Sequence, residues 1–338
     1  MCCVGEPIAN PRLSSGCRHI PLPALRQVAP SPIPWTVCLA MTRPGFLVIT
    51  AIGCALGMAT AVASGGGFSW PRALATWALA LLAHASANMQ NDYADALNGA
   101  DAANSAGLYP FTGGSRLVQR GAVAAADMRR LSLALVAVVV PGGIWLAAHS
   151  GGGLLVLGLV GLLLGWAYSL PPLALMKRGW GEGTVALAWA LVVVGADYAQ
   201  RGQFFLLPAA AALGYGLMIG NILLANAFPD AAADARVGKR TLAVRLGLRR
   251  AAWLYLAVAL AAQAWVLALV VAALLPRPVL AALAAAPLSL AAGALLLRHA
   301  SEPARLRAAL VLGIAAAALY GLGMTWGFWM VRAQGVHF

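Results

Sequence analysis

The sequence predicts an all-α, polytopic membrane protein, and three observations carry that prediction. Of its 338 residues, 62% are hydrophobic and 10% are charged, whereas a soluble domain carries about a quarter charged residues. Apolar stretches of roughly 17 to 25 residues recur along almost the whole chain, long enough for helices to cross a bilayer. Runs alternating apolar and polar residues do not occur, which argues against an outer-membrane barrel.

The elements follow in order. Residues 1–40 are Pro-rich, lack a long apolar core and do not resemble a cleavable signal peptide. They read as a disordered N-terminal extension, or the product of an upstream start, with Met41 opening the membrane domain 41–338. Nine apolar spans come next: 45–64, 73–91, 131–149, 152–170, 183–199, 204–225, 252–275, 279–297 and 308–330. Cys2, Cys3, Cys17 and Cys38 lie before the first span and Cys54 within it, a spacing that suits neither a metal site nor a disulfide framework.

The formal charge of +13 invites a nucleic-acid partner, but its placement argues otherwise. With the N-terminus cytoplasmic, 19 of the 23 Lys and Arg fall on the cytoplasmic side. Only Arg72, Arg201, Arg277 and Arg332 fall on the other. That is the positive-inside pattern of a membrane protein, and it needs no nucleic acid. A basic cytoplasmic face also suits anionic lipid and diphosphate.

Ten acidic side chains remain, and five of them fall in two short segments after even-numbered spans. The first is "NMQNDYADALNGAD", following span two, and the second is "NAFPDAAADARVGKRT", following span six. Asn88, Asp92 and Asp95 are spaced i, i+4, i+7 and share a helix face. Asn226, Asp230 and Asp234 do the same at i, i+4, i+8. His84, one turn before Asn88, carries the first polar stripe deeper into the bilayer. The recurrence hints at a four-helix duplication.

Carboxylates at membrane depth are costly unless they face a cavity and meet a cation. An all-oxygen set without a His or Cys cluster favours Mg²⁺, which keeps waters and bridges carboxylates to substrate phosphates. Asp92, Asp95, Asp230 and Asp234 are therefore the candidate metal ligands, with Asn91 beside them. "YPFTGGSRLVQRG" (109–121) offers backbone N–H groups at Gly113–Gly114–Ser115 and the charge of Arg116 to an anion. Lys177, Arg178, Lys239 and Arg240 are further candidates for holding a diphosphate. In "GWAYSLPPLALMKRGWGEG" (165–183), Tyr168 could turn its ring to a cationic intermediate.

Taken together, "NDYADALNGAD", "YSLPPLALMKRGWGEG" and "FPDAAADARVGKRTLAVRLG", in that order, resemble the motifs of the UbiA-type intramembrane prenyltransferases. The resemblance runs from about residue 43 to the end. It implies nine transmembrane helices around a central cavity, Mg²⁺ and a polyprenyl diphosphate held by both Asp motifs, and an aromatic acceptor. Many members place a third Asp four residues after the position of Asp95; this chain has Gly99 there and Asp101 beyond. That G-x-D form is similar to the menaquinone-branch enzymes that prenylate 1,4-dihydroxy-2-naphthoate, and it leaves the role of Asp101 open. Other acceptors of the family class are 4-hydroxybenzoate, homogentisate and tetrapyrroles. The resemblance implies the inner membrane of a bacterium. An ion-coupled secondary transporter is the alternative from a different class, although transporters set their charges near mid-bilayer.

Overall fold

The computed structural model describes residues 33–333, and among these every regular element is helical. The first thirty-two residues of the expected extension lie outside that range; its last residues form α1, Trp35–Met41, which buries Met41 against Met89 and Met128. The remaining helices are α2 Pro44–Ala63, α3 Trp70–Asn98, the short α4 Ala100–Ala103, α5 Ala125–Ser150, α6 Gly153–Ser169 and α7 Gly181–Arg201. They continue with α8 Leu206–Arg236, α9 Leu242–Leu246, α10 Leu248–Val271, α11 Ala286–His299 and α12 Arg307–Ala333.

Each expected span finds a helical rod, and among the described residues seven helices are long and apolar enough to cross a membrane. The two others differ for separate reasons. At 17 residues α6 is apolar but short, about 26 Å at the helical rise. The 29 residues of α3 instead include the polar run "NMQNDYADALN". The span expected at 279–297 opens as a 3₁₀ segment, Arg277–Ala285, before α11 begins. Pro287, in the first turn of α11, has no N–H to return to the carbonyl of Leu283, so one rung of the ladder is missing where the 3₁₀ segment gives way to the α-helix.

The core lies where α2, α7, α8, α10, the 277–285 segment and α12 converge, around Leu56, Tyr215, Ile219, Val266, Tyr320 and Phe328. Lipid-like surroundings supply little driving force between helices, so close backbone approach has to hold them together. Gly57 provides it between α2 and α7, since a Cβ there would collide with the carbonyl of Val193. Gly216 does the same between α8 and α7, against the carbonyl of Ala186.

Both acidic segments are continuations of helices rather than frayed ends. The helix α3 carries Asp92 and Asp95 in its last turns, and α8 runs past Pro229 to carry Asp230 and Asp234. Intrahelical bonding there satisfies the backbone, which leaves the side chains free to meet across the bundle.

Candidate active site

A cavity of about 230 Å³ opens between these two helix ends, α6, α7 and the loops after α3 and α8. One end is polar, walled by Asn88, Asn91, Asp95, Asp101, Asn104, Asn226, Asp230, Asp234 and Lys239. The other is mostly apolar, with Phe46, Ile49, Val185, Ile219, Ile222 and Leu223.

Lys239 ties the two acidic stripes together. Its Nζ lies 3.1 Å from Asp95 Oδ1 and 3.2 Å from Asp234 Oδ1. Burial alone would lower the pKa of this amine. The charges of Asp95 and Asp234 outweigh it and hold Lys239 above its ordinary value, so it stays an ammonium at neutral pH. Asn98 Nδ2 also donates to Asp95 Oδ1, at 3.0 Å.

The Gly-rich loop bridges the other two carboxylates. Gly113 N–H donates to Asp230 Oδ2 at 3.2 Å, and Ser115 N–H donates to Asp92 Oδ2 at 3.0 Å. The sequence offers these N–H groups to a substrate anion; in the structure those of Gly113 and Ser115 are taken by the protein's own carboxylates. Gly113 and Gly114 have φ of +76° and +69°, and a Cβ on Gly114 would stand 2.8 Å from Asp101 Oδ2. Glycine is required there on both counts.

Asp92 lies behind the cavity wall and is 2% exposed. Its Oδ1 has no hydrogen-bond partner, and Arg43 Nη1 stands 3.7 Å away. Asp101, whose role the sequence left open, lines the cavity and accepts from Gln119 Nε2 at 3.2 Å. Burial, with the charges of Asp95 and Asp92 adding to it, pushes its pKa up to about 8.

The structure brings Asn88, Asn91, Asp95, Tyr168, Asn226, Asp230, Asp234 and Lys239 to one cavity, with Asp92 just behind. Four of the candidate cations stand elsewhere. Arg116 donates from Nη1 to the carbonyl of Asn104 at 2.8 Å, outside the cavity lining. Arg178 is exposed and donates to the carbonyl of Pro172. The carbonyl of Lys177 accepts from the backbone N–H of Arg240 at 2.8 Å, which joins two loops, and neither side chain lines the cavity.

Sequence reasoning missed Arg43, which lines the cavity from the start of α2, and Asn104, which donates from Nδ2 to Asp230 Oδ1 at 2.7 Å. It also missed Trp189. The available signals were weak: an Arg ahead of a Pro at a helix start, and an Asn in a polar loop.

The residues fit a hard divalent cation. Their donors are oxygens, and Asp92 Oδ1 and Asn226 Oδ1 are buried acceptors without a donor. Among the described residues no three His, Cys, Asp or Glu side chains form a ready-made cage. Mg²⁺ does not ask for one, since one or two carboxylates, waters and substrate phosphates complete its octahedron.

Comparison with known proteins identifies the family and the fold. The family model for the UbiA prenyltransferases matches residues 46–313. The 1,4-dihydroxy-2-naphthoate octaprenyltransferase of Mycobacterium tuberculosis is 35% identical over 243 residues, 70% of this chain and 80% of that protein. The protein of the same name from Bacillus subtilis is 28% identical over 185 residues, 54% and 58% of the two chains. The fold matches a UbiA homolog from Archaeoglobus fulgidus, solved bound to GPP and Mg²⁺, with a TM-score of 0.56 at 15% identity. That match covers 85% of this chain and 99% of the other.

Proposed function

The chain belongs to the UbiA prenyltransferase family, and we propose that it transfers a polyprenyl group from its diphosphate to 1,4-dihydroxy-2-naphthoate, with Mg²⁺, in menaquinone synthesis. It is a multi-pass membrane prenyltransferase. The proposed setting is a bacterial inner membrane with the acidic helix ends facing the cytoplasm, where the positive-inside pattern puts them. The observation that carries the reading is the division of the cavity, with both Asp stripes and Lys239 at one end and an apolar passage beyond. A prenyl diphosphate is divided in the same way.

In this reading Asp92, Asp95, Asp230 and Asp234 would hold Mg²⁺, with Asn88, Asn91 and Asn226 beside them, and the cation would neutralise charge on the diphosphate. Lys239, released from its carboxylates, donates to the phosphate oxygens and stabilises the leaving group as the allylic C–O bond breaks. The apolar wall keeps water from the carbocation-like carbon, and Tyr168 offers it the face of a ring. A ring carbon of the acceptor then attacks, and the ring regains aromaticity by releasing a proton or, in the naphthoate case, its carboxyl group as CO₂.

The test is an acceptor screen. The full chain in nanodiscs receives prenyl diphosphates of several lengths and each aromatic acceptor, with Mg²⁺ or with EDTA, and products are read by mass spectrometry. Mg²⁺-dependent prenylation of 1,4-dihydroxy-2-naphthoate in preference to 4-hydroxybenzoate, homogentisate or chlorophyllide is expected. Preference for another acceptor would refute the naphthoate assignment, and unchanged turnover in EDTA would refute the metal's role.

A further inference from the structure

The apolar half of the cavity contains two aromatic side chains with nitrogen atoms that a prenyl chain cannot satisfy. His84, on α3, and Trp189, on α7, both line the cavity. Their rings meet edge to face, with centroids 4.8 Å apart and planes at 88°. Thr50 Oγ1 on α2 shares a hydrogen bond of 2.8 Å with His84 Nδ1. That contact fixes the ring and leaves Nε2 as the nitrogen available to the cavity. Trp189 Nε1 is buried without an acceptor.

His84 precedes Asp92 by eight residues on one helix, so the pair sits about 12 Å deeper along α3 than Asp92. Around it are Phe46, Ile49, Val185 and Ala188. A polyprenyl tail passing this wall offers carbon and hydrogen only. Against it the indole N–H, already buried and unpaired, would stay unpaired, and the imidazole nitrogen would be desolvated without compensation, which is unfavourable. The other substrate has ring oxygens, and a flat ring suits the faces and edges of an aromatic pair.

We propose that His84 and Trp189 form the recognition site for the aromatic acceptor. Trp189 Nε1–H donates to an oxygen of the ring system, and His84 Nε2 exchanges a hydrogen bond with a ring hydroxyl. Thr50 positions the imidazole. The pair determines specificity for hydroxylated rings, because an acceptor without the hydroxyl would leave these groups unpaired. This inference rests on the prenyltransferase reading above and adds the place where its second substrate is held.

The experiment uses the full chain in nanodiscs with Mg²⁺, a prenyl diphosphate and a dihydroxynaphthoate acceptor. Trp189→Phe keeps a ring and removes the N–H; His84→Phe keeps the edge-to-face packing and removes both nitrogens. In each variant the acceptor KM should rise about tenfold, with donor KM and Tm unchanged. An acceptor analogue lacking one ring hydroxyl should be discriminated against by the wild type and accepted equally by at least one variant. An unmoved acceptor KM overturns the inference. So does a rise confined to the donor KM, which would put the pair on the prenyl path, or a joint shift of both KM values with Tm, which would make it structural. All three leave the proposed function standing. Failure of the wild type to prenylate any hydroxylated ring would overturn both readings together.

Discussion

Buried carboxylates occupy both ends of this bundle, and they are treated in opposite ways. Near the end where α3 begins and α7 finishes, Asp197 is 1% exposed, and both of its oxygens are bonded. Arg201 donates to Oδ1 and Oδ2 at 2.7 and 2.8 Å, and Thr60 Oγ1 donates to Oδ2 at 2.9 Å. The guanidinium in turn lies 3.8 Å over the ring of Phe205. At the other end Asp230 has both oxygens bonded, but Asp92 keeps an oxygen without a hydrogen-bond partner, Asp95 and Asp234 share a single lysine, and Asn104, Asn226 and Thr241 each retain an unpaired oxygen. Burying an acceptor without a donor costs free energy. In the proposed reading, the groups left unpaired at this end are the ones that a bound diphosphate and its cation would complete. The first network fastens α2 to α7, and the second is open to chemistry.

The sharpest way to break this contrast is to remove a carboxylate from each end. Asp230→Ala should lower kcat/KM by about 10³-fold or more, with Tm within a few degrees of the wild type. Retained turnover would show that the second acidic stripe is not part of the site. Asp197→Ala should do the reverse. It leaves Arg201 buried without its counter-ion, a loss of about 3–5 kcal/mol, read as a lower Tm in a thermal scan. Below the new transition turnover should be unaffected; a large drop in activity with Tm preserved would erase the distinction between the ends.

How much of this the sequence disclosed depends on which force set each feature. The bilayer dictates length and apolarity, so the spans were legible from composition alone. Their ends were not. The α3 helix continues from the expected 91 to Asn98, and α8 from 225 to Arg236, because polar turns facing a protein cavity need no lipid-matched side chains. The pairing of the two stripes followed from helical period, since Asn88, Asp92 and Asp95 must share a face whatever the loops do. The cations were harder to sort. Lys239, Arg178 and Arg240 read alike as candidates for the diphosphate, Arg43 reads as one more positive-inside residue, and only the path of the loops separates them. That path is fixed by contacts far apart in sequence, such as Arg240 N–H to the carbonyl of Lys177. Likewise Trp189 lies in an apolar run where any aromatic would read the same, and its unpaired nitrogen becomes visible only with its neighbours in place.

Lys239 sharpens the comparison from the cationic side. Lys239→Met keeps much of the volume and removes the charge, leaving Asp95 and Asp234 to face each other without a partner. Mutual repulsion then raises their demand for a divalent ion, while the leaving diphosphate loses a donor. A fall of about 10–100-fold in kcat/KM is expected, together with a steeper dependence on Mg²⁺ concentration. A variant with wild-type turnover would make Lys239 a structural strut like Arg201, and the two ends would then differ less than their hydrogen bonds imply.

The smallest effect should come from Arg178, which sequence alone placed beside Lys239 as a candidate for the diphosphate. Its side chain is exposed and donates to the carbonyl of Pro172, a contact that water replaces readily. Its own carbonyl accepts from Arg245 Nη1 at 2.9 Å, and that bond survives any change of side chain. Arg178→Ala should therefore leave donor KM and kcat within about twofold of the wild type, the range of an ordinary surface substitution. A tenfold rise in donor KM would mean that the loop after α6 swings inward when diphosphate binds, bringing a cation to the cavity that its resting position keeps outside. The open network would then extend beyond the helix ends that define it at rest.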